Sequence, residues 1–124
     1  MDRHRYTGSR STRWHTALNN GERRAARWYR LRGWRILGAN VRAGAYELDL
    51  IVRRGRVVRF GEVKERSRGG FGGAGGAVGA EKQRRVRRAA EAWLAAHPEC
   101  SGLELGFDVV AVEAGRLERL RDAF

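Results

Sequence analysis

Two runs of alternating apolar residues, separated by Arg54-Gly55, constrain the fold more tightly than anything else in the chain. From Tyr46 to Arg53, Leu48, Leu50 and Val52 alternate with Glu47, Asp49 and Ile51, and a second run extends from Val57 to Lys64. Side chains on a strand point to opposite faces with period two. Each run therefore predicts a strand, and the glycine break predicts a β-hairpin over 46–64. A lone hairpin is marginal in water and needs further strands or helices to cover it.

The flanking sequence supplies both. Ala17 to Arg32 carries Leu18, Ala25, Trp28 and Tyr29 at helical spacing, with Arg23, Arg27 and Arg30 on the opposite face and Gly33 as a stop. Trp34 to Val41 predicts a strand ahead of the hairpin. Ala80 to His97 predicts a second amphipathic helix, with Val86, Ala89, Ala90 and Trp93 inward and Pro98 limiting it. Leu103 to Val112 predicts a fourth strand, and Gly115 turns the chain into a short final segment holding Leu117 and Leu120. The order α-β-β-β-α-β, with the second helix as a crossover, predicts an α/β fold, a mixed central β-sheet flanked by helices. At 124 residues the chain is long enough for one core and not two. Residues 16–124 are expected to form a single domain. Residues 1–15, with four Arg, two His and no aliphatic side chain beyond Met1, are expected to be a flexible basic arm.

Composition narrows the function classes. An apolar content of 42% argues against wholesale disorder. No apolar run approaches the roughly 18 residues of a membrane span, and Met1 to Tyr6 lacks the apolar core of a secretory signal. A soluble, cytoplasmic protein with no membrane partner is the expectation. The single Cys100 excludes an internal disulfide framework and a four-cysteine zinc site. Charge points to a partner: 24 Arg and 2 Lys oppose 14 Asp and Glu, giving +12. Residues 1–42 hold 11 Arg against Asp2 and Glu22, whereas residues 99–124 hold three Arg against six acids. Such a surplus suits a polyanion, nucleic acid first, although an Arg-rich coding bias would give the same count. Arg is evidently the default cation here. Lys64 and Lys82 therefore mark places where a compact ammonium is needed, unless the two survive by chance.

Several charges face the wrong way. On helical wheels at about 100° per residue, Glu22 falls within the first helix's apolar stripe and Lys82 within the second's. Each needs a counter-charge, a metal or a solvated cleft, unless its place near a helix N-terminus simply lets it reach water. In the hairpin, Glu47 and Asp49 share one face of one strand, and Glu62 and Lys64 one face of the other. A symmetric turn at Arg54-Gly55 would set residue 47 opposite 62; a bulge at Gly55 or Gly61 would set Asp49 opposite Glu62. Either register crowds three carboxylates and one ammonium onto one patch, which implies a hard divalent cation, Mg²⁺ or Mn²⁺. The competing reading is a solvated polar face on which Lys64 pairs the acids.

Asp49, twelve intervening residues and then Glu62-Val63-Lys64 resembles the D…(D/E)-x-K signature of the restriction-endonuclease-like nuclease fold. More closely, the chain resembles the YraN-like bacterial family, described as uncharacterised and endonuclease-like. Gly21-Glu22, Asn40-Val41-Arg42, Glu47-Leu48-Asp49-Leu50-Ile51 and Phe60-Gly61-Glu62-Val63-Lys64 carry the likeness. Phe71-Gly72, Lys82-Gln83, Phe107-Asp108-Val109-Val110 and Asp122-Ala123-Phe124 continue it. The family pattern has Gly at Tyr46, an apolar residue at Gly61 and Arg at Gly106. The resemblance implies a restriction-endonuclease-like core and a metal-dependent endonuclease that hydrolyses DNA, including branched or single-stranded DNA, in preference to RNA. It implies that Asp49 and Glu62 hold the metal, with Glu22 reaching it directly or through water. Lys64 would orient the nucleophile or stabilise developing charge. Lys82 and Gln83 would contact a phosphate or support the ligands. Glu47 would be a fourth acid or a structural neighbour, and Asp108 would brace the site from the last strand. Arg66 and Arg68 would support nucleic-acid binding. Two-fold dimers are common among junction-cutting relatives of that fold, so a homodimer is an expectation on resemblance alone.

Other signals are weaker. The run Gly75 to Lys82 lacks the Gly-Lys-Ser/Thr of a phosphate-binding P-loop. Arg68-Gly69-Gly70-Phe71 resembles a fragment of an RNA-binding RGG segment, but a mobile loop spanning Gly69–Gly79 over the cleft is the preferred expectation. The functional alternative to an endonuclease is a non-catalytic nucleic-acid-binding module that retains the nuclease fold.

Overall fold

The computed structural model of the chain describes residues 18–66 and 78–124. The expected basic arm, Arg68, the side chain of Arg66 and most of the Gly69–Gly79 loop lie outside them. Five strands and two long helices follow the expected order. They are α1 (Asn20–Leu31), β1 (Arg35–Ala43), β2 (Tyr46–Arg54), β3 (Val57–Arg66), α2 (Ala80–Ala95), β4 (Glu104–Glu113) and β5 (Arg116–Leu120). A 3₁₀ turn, Pro98–Cys100, links α2 to β4. The short final segment after Gly115 is thus a fifth strand.

Chemistry at its ends fixes α1. The Asn19 side chain accepts from the Glu22 amide at 2.7 Å, and Glu22 Oε1 accepts from the Asn19 amide at 3.3 Å. This capping box satisfies two of the helix's orphan N–H groups. At the other end Gly33, at φ +87°, lets its own amide reach Arg30 O and the Trp34 amide reach Tyr29 O, a Schellman closure.

The sheet runs β1-β2-β3-β4-β5. Only β3 and β4 are parallel, from Val57↔Glu104 to Arg66↔Glu113, so the sheet is mixed and α2 is the crossover. The helices cover opposite faces. Ala25, Ala26 and Tyr29 of α1 pack with Leu50, Val52, Val110 and Val112. Val86, Ala89, Ala90 and Trp93 of α2 pack with Ile51, Val58 and Phe60. Burying the valine, leucine, isoleucine and phenylalanine side chains among these contributes roughly 1.5–3 kcal/mol each, which holds both layers on the sheet, while the alanines let the helices approach it closely. The arrangement is a mixed α/β sheet consistent with the restriction-endonuclease-like core.

Register in the hairpin departs from the first expectation. Arg54 pairs Val57 around a two-residue turn, Gly55-Arg56, with Gly55 at φ +61°. Pairing continues to Leu50↔Gly61, so the next positions in register are Asp49 and Glu62. Glu47 does not face Glu62. No bulge is needed for this; the turn sits one residue later than the sequence suggested.

Candidate functional site

Among the described residues, three charged or polar ones are buried: Arg59, Glu62 and Asp108. An ionised group removed from water needs partners, so each must be accounted for. Arg59 and Asp108 satisfy one another. Asp108, fully buried on β4, accepts from Tyr29 Oη at 2.6 Å, Arg59 Nη1 at 3.0 Å, Arg119 Nε at 3.1 Å and the Asp122 amide at 3.2 Å. Arg59 Nη1 also donates to Asp122 Oδ1 at 2.7 Å. Asp108 therefore ties α1, β3, β4, β5 and the segment after β5 together, and its bonds do not go to Asp49 or Glu62. Opposite Arg59 stands Gly106, where a Cβ would lie 2.4 Å from Arg59 Nη1. The guanidinium fills the place a side chain at 106 would take.

Glu62 has no such built-in network. It is 3% exposed, and its ion-pair partner is Lys82 Nζ at 3.3 Å, a side chain half open to solvent. Burial, then the charge of Asp49, push its carboxyl up to about 7, against the pull of Lys82 and the Asp49 amide. Asp49 is also pushed up, by burial first, with Glu22 and Glu47 adding to it. The Val63 N–H and Lys82 oppose that shift. Buried Glu62 and half-buried Asp49 are neighbouring carboxyls whose fields disfavour each other's ionised form, and such a pair calls for positive charge.

Strand geometry makes this cleft. β2 stays paired with β1 through Val41↔Leu48 to Ala43↔Tyr46, yet leaves β3 beyond Leu50. At the parting, Asp49 Oδ2 accepts from the Val63 amide at 2.9 Å. The alternation of faces breaks at the same place: Leu48 joins the α2-side core and Leu50 the α1-side core. On β1 the residue in register with Asp49 is Asn40, in the left-handed region at φ +52°. Asn is among the few non-glycine residues that tolerate it. Its Nδ2 donates to Glu22 Oε1 at 3.1 Å. Glu22 is thus held at one oxygen by the Asn19 amide and by Asn40, at the N-terminal end of α1. Sequence reasoning placed Asn40 only in a motif and gave it no role. The Asn19-x-x-Glu22 spacing is the signal that could have shown how Glu22 is held.

Not every expected site residue converges on the cleft. Asp49, Glu62 and Lys82 come together, and Glu22 and Glu47 act on Asp49 through charge. Glu47 itself is exposed and lies in register with Arg42. Lys64, half-buried, stands two residues beyond Glu62 on β3. Lys82 lies in the first turn of α2, so its place on the inward stripe still leaves it half exposed. Gln83 Nε2 donates to Val78 O at 2.9 Å and so secures the chain leading into α2. Among the described residues, no three His, Cys, Asp or Glu side chains gather closely enough to hold a metal by themselves. The pair Asp49–Glu62 nevertheless offers the hard oxygen donors Mg²⁺ takes, since that ion is commonly held by one or two carboxylates with water and phosphate completing its shell. The donor set fits, with Lys82 competing for Glu62.

A mixed five-stranded sheet with helices on both faces, and a carboxylate cleft where two strands part, makes this an α/β fold consistent with the restriction-endonuclease-like core. Residues 21–112 match the Uncharacterised protein family UPF0102, and the chain belongs to that family. A UPF0102 protein of Alkalilimnicola ehrlichii is 43% identical over 106 residues, 86% of this chain and 84% of that one. One of Bordetella avium is 44% identical over 110 residues, covering 89% and 75%. One of Paramagnetospirillum magneticum is 40% identical over 99 residues, covering 77% and 75%. Among the described residues no helix is long and apolar enough to cross a membrane.

Proposed function

We propose that the cleft between β2 and β3 is the centre of a metal-dependent DNA endonuclease. The observation that carries this reading is Glu62: a buried carboxyl beside a second one, with one half-exposed ammonium as its ion-pair partner. A purely structural acid would be satisfied as Asp108 is. Asp49 and Glu62 would hold a divalent cation of the Mg²⁺ or Mn²⁺ type. When bound, that cation supplies positive charge for the scissile phosphate and lowers the pKa of a bound water.

The protein's own groups do the rest. Asp49, fixed by the Val63 amide, presents its remaining oxygen in one orientation. Lys64, on the same strand as Glu62, is suited to orient the attacking water or to neutralise charge building on the phosphate oxygens. Lys82 would exchange Glu62 for a substrate phosphate as the cation arrives. The basic surplus supplies sequence-independent affinity for the backbone. A homodimer and a cytoplasmic place of action belong to the same proposal.

Cleavage of labelled linear, single-stranded and four-way-junction DNA with Mg²⁺, Mn²⁺ or EDTA tests the reading. Asp49→Asn and Lys64→Ala, purified in parallel, should lose metal-dependent cutting. Cutting that persists in both variants rejects the assignment. The Lys82–Glu62 ion pair favours a second reading, a nucleic-acid-binding module in which the ammonium stands where a cation would. DNA binding without cleavage under any metal supports it.

A further inference from the structure

Asn40 stands inside β1 with its backbone in the left-handed region, at φ +52°. The other non-glycine residues in that region among those described, Ala114 and Asp122, lie outside the strands. Pairing with β2 continues on both sides of Asn40, at Ala39↔Leu50 and Val41↔Leu48. Strain of this kind persists only where the surroundings over-determine it, and it gathers at functional sites.

The strained residue marks a change of face. On β1, Ala39 packs against the α1-side core and Val41 against the α2-side core. On β2, Leu50 belongs to the α1-side core and Leu48 to the α2-side core. Residues two apart on a regular strand share a face, so both strands step over together at the Asn40–Asp49 pair. The same step is where Asp49 takes the Val63 amide and β2 leaves β3.

The side chain of Asn40 is engaged too. Its Nδ2 donates to Glu22 Oε1 at 3.1 Å, and the Asn19 amide donates to the same oxygen at 3.3 Å. Glu22 is thereby held from two directions, by the cap of its own helix and by β1. That fixes the carboxylate on the side of Asp49, on which its charge acts.

We propose that Asn40 is a positioning residue for the cation site: its left-handed backbone sets the step that presents Asp49 to the cleft, and its amide holds Glu22 beside the Asp49–Glu62 pair. The inference rests on the metal reading above and adds a residue that need not touch the cation. Among the described residues Glu22 completes no three-acid cluster, so it would act through the waters that an ion of the Mg²⁺ type keeps. Groups that orient a metal's surroundings in this way typically set metal affinity by about 10–100-fold.

Mn²⁺ uptake by the full chain, read from the electron paramagnetic resonance signal of the free ion, tests it without any measurement of cleavage. Asn40→Gly accepts the left-handed backbone and loses only the amide, so it should bind Mn²⁺ about tenfold or more weakly than wild type. Combining it with Glu22→Gln should cost little beyond Glu22→Gln alone, because the amide works through that carboxylate. Asn40→Ala, which also opposes the left-handed backbone, should bind more weakly than Asn40→Gly. A merely structural role would lower the urea midpoint in EDTA and leave the Mn²⁺ affinity of the folded variants unchanged. If wild type binds Mn²⁺ and Asn40→Gly binds it equally, or if the losses of Asn40→Gly and Glu22→Gln simply add, the proposal is overturned and the metal reading stands. A wild type that takes up no Mn²⁺ overturns both.

Discussion

Asp49 Oδ2 accepts the Val63 amide at 2.9 Å, one residue past the last paired rung between β2 and β3. A side-chain carboxylate thus replaces the next backbone acceptor of the ladder. It holds the strands at the angle where they part, and it commits one oxygen while leaving the other toward the cleft.

Asp49→Ala should therefore cost stability as well as function. With the Val63 N–H left without its acceptor, urea denaturation should show a loss of about 1–3 kcal/mol. Asp49→Asn keeps an oxygen there and relieves crowding with Glu62, so its stability should stay within about 1 kcal/mol of wild type. Equal stability of the Ala variant would mean that the amide bond does not hold the strands.

Glu62 predicts an unusual pH response. Its carboxyl is pushed up to about 7 in the folded protein, from an ordinary value of 4.5. Between those values the native state holds a proton that the unfolded chain releases, so stability from this group is full below 4.5 and falls as pH rises through 7. Glu62→Gln removes that loss. Relative to wild type it should gain on the order of 2–3 kcal/mol between about pH 5 and pH 8, read from denaturant midpoints. A gap that does not change with pH would refute the burial of a titrating acid.

Asp108 should be intolerant of change for a different reason. Asp108→Ala leaves Arg59 buried beside a lost partner, and removal of one member of a buried ion pair typically costs about 3–5 kcal/mol. Tyr29→Phe, which deletes a single donor to that carboxylate, should cost about 1 kcal/mol. Thermal denaturation separates the two. Near-equal small losses would mean that water replaces the carboxylate.

Gly106→Ala tests the same network from the other side. The new Cβ would overlap Arg59 Nη1, so the guanidinium must shift within its contacts to Asp108 and Asp122. A loss of about 2 kcal/mol or more is expected from this buried position. Asp108→Ala and Gly106→Ala should then fall short of additivity in a double-mutant cycle, because both disrupt the same contacts.

Elements were more legible than register. Two periodicities, the stops at Gly33 and Pro98 and the glycine turns located both helices and four strands, because those signals are local. The fifth strand escaped because Arg116 to Leu120 shows little alternation beyond Leu117, and pairing with β4 is what makes it a strand. The choice between Glu47 and Asp49 opposite Glu62 turned on whether Arg54-Gly55 or Gly55-Arg56 occupies the turn, a one-residue matter that hydrophobic pattern constrains weakly. Asp49 and Glu62 could be singled out as charges on a pattern of apolar residues. The role of Asn40 could not, since it depends on a left-handed backbone and a contact across the fold. Asp108 was visible as an acid in an apolar strand, but its four donors come from α1, β3, β5 and the segment beyond.

Because the sheet order repeats the chain order, three of the four strand pairings close through two-residue turns. Those pairings add little loop-closure entropy and can form as fast as isolated hairpins. The entropy of bringing distant chain together falls almost wholly on one event, the docking of β4 alongside β3 across the α2 crossover. Residues in that seam, Phe60, Val63, Val109 and Val110, are where substitutions should slow folding itself. Asp108 lies in the same seam, so its burial is completed only when the β1–β3 meander and the β4–β5 hairpin meet.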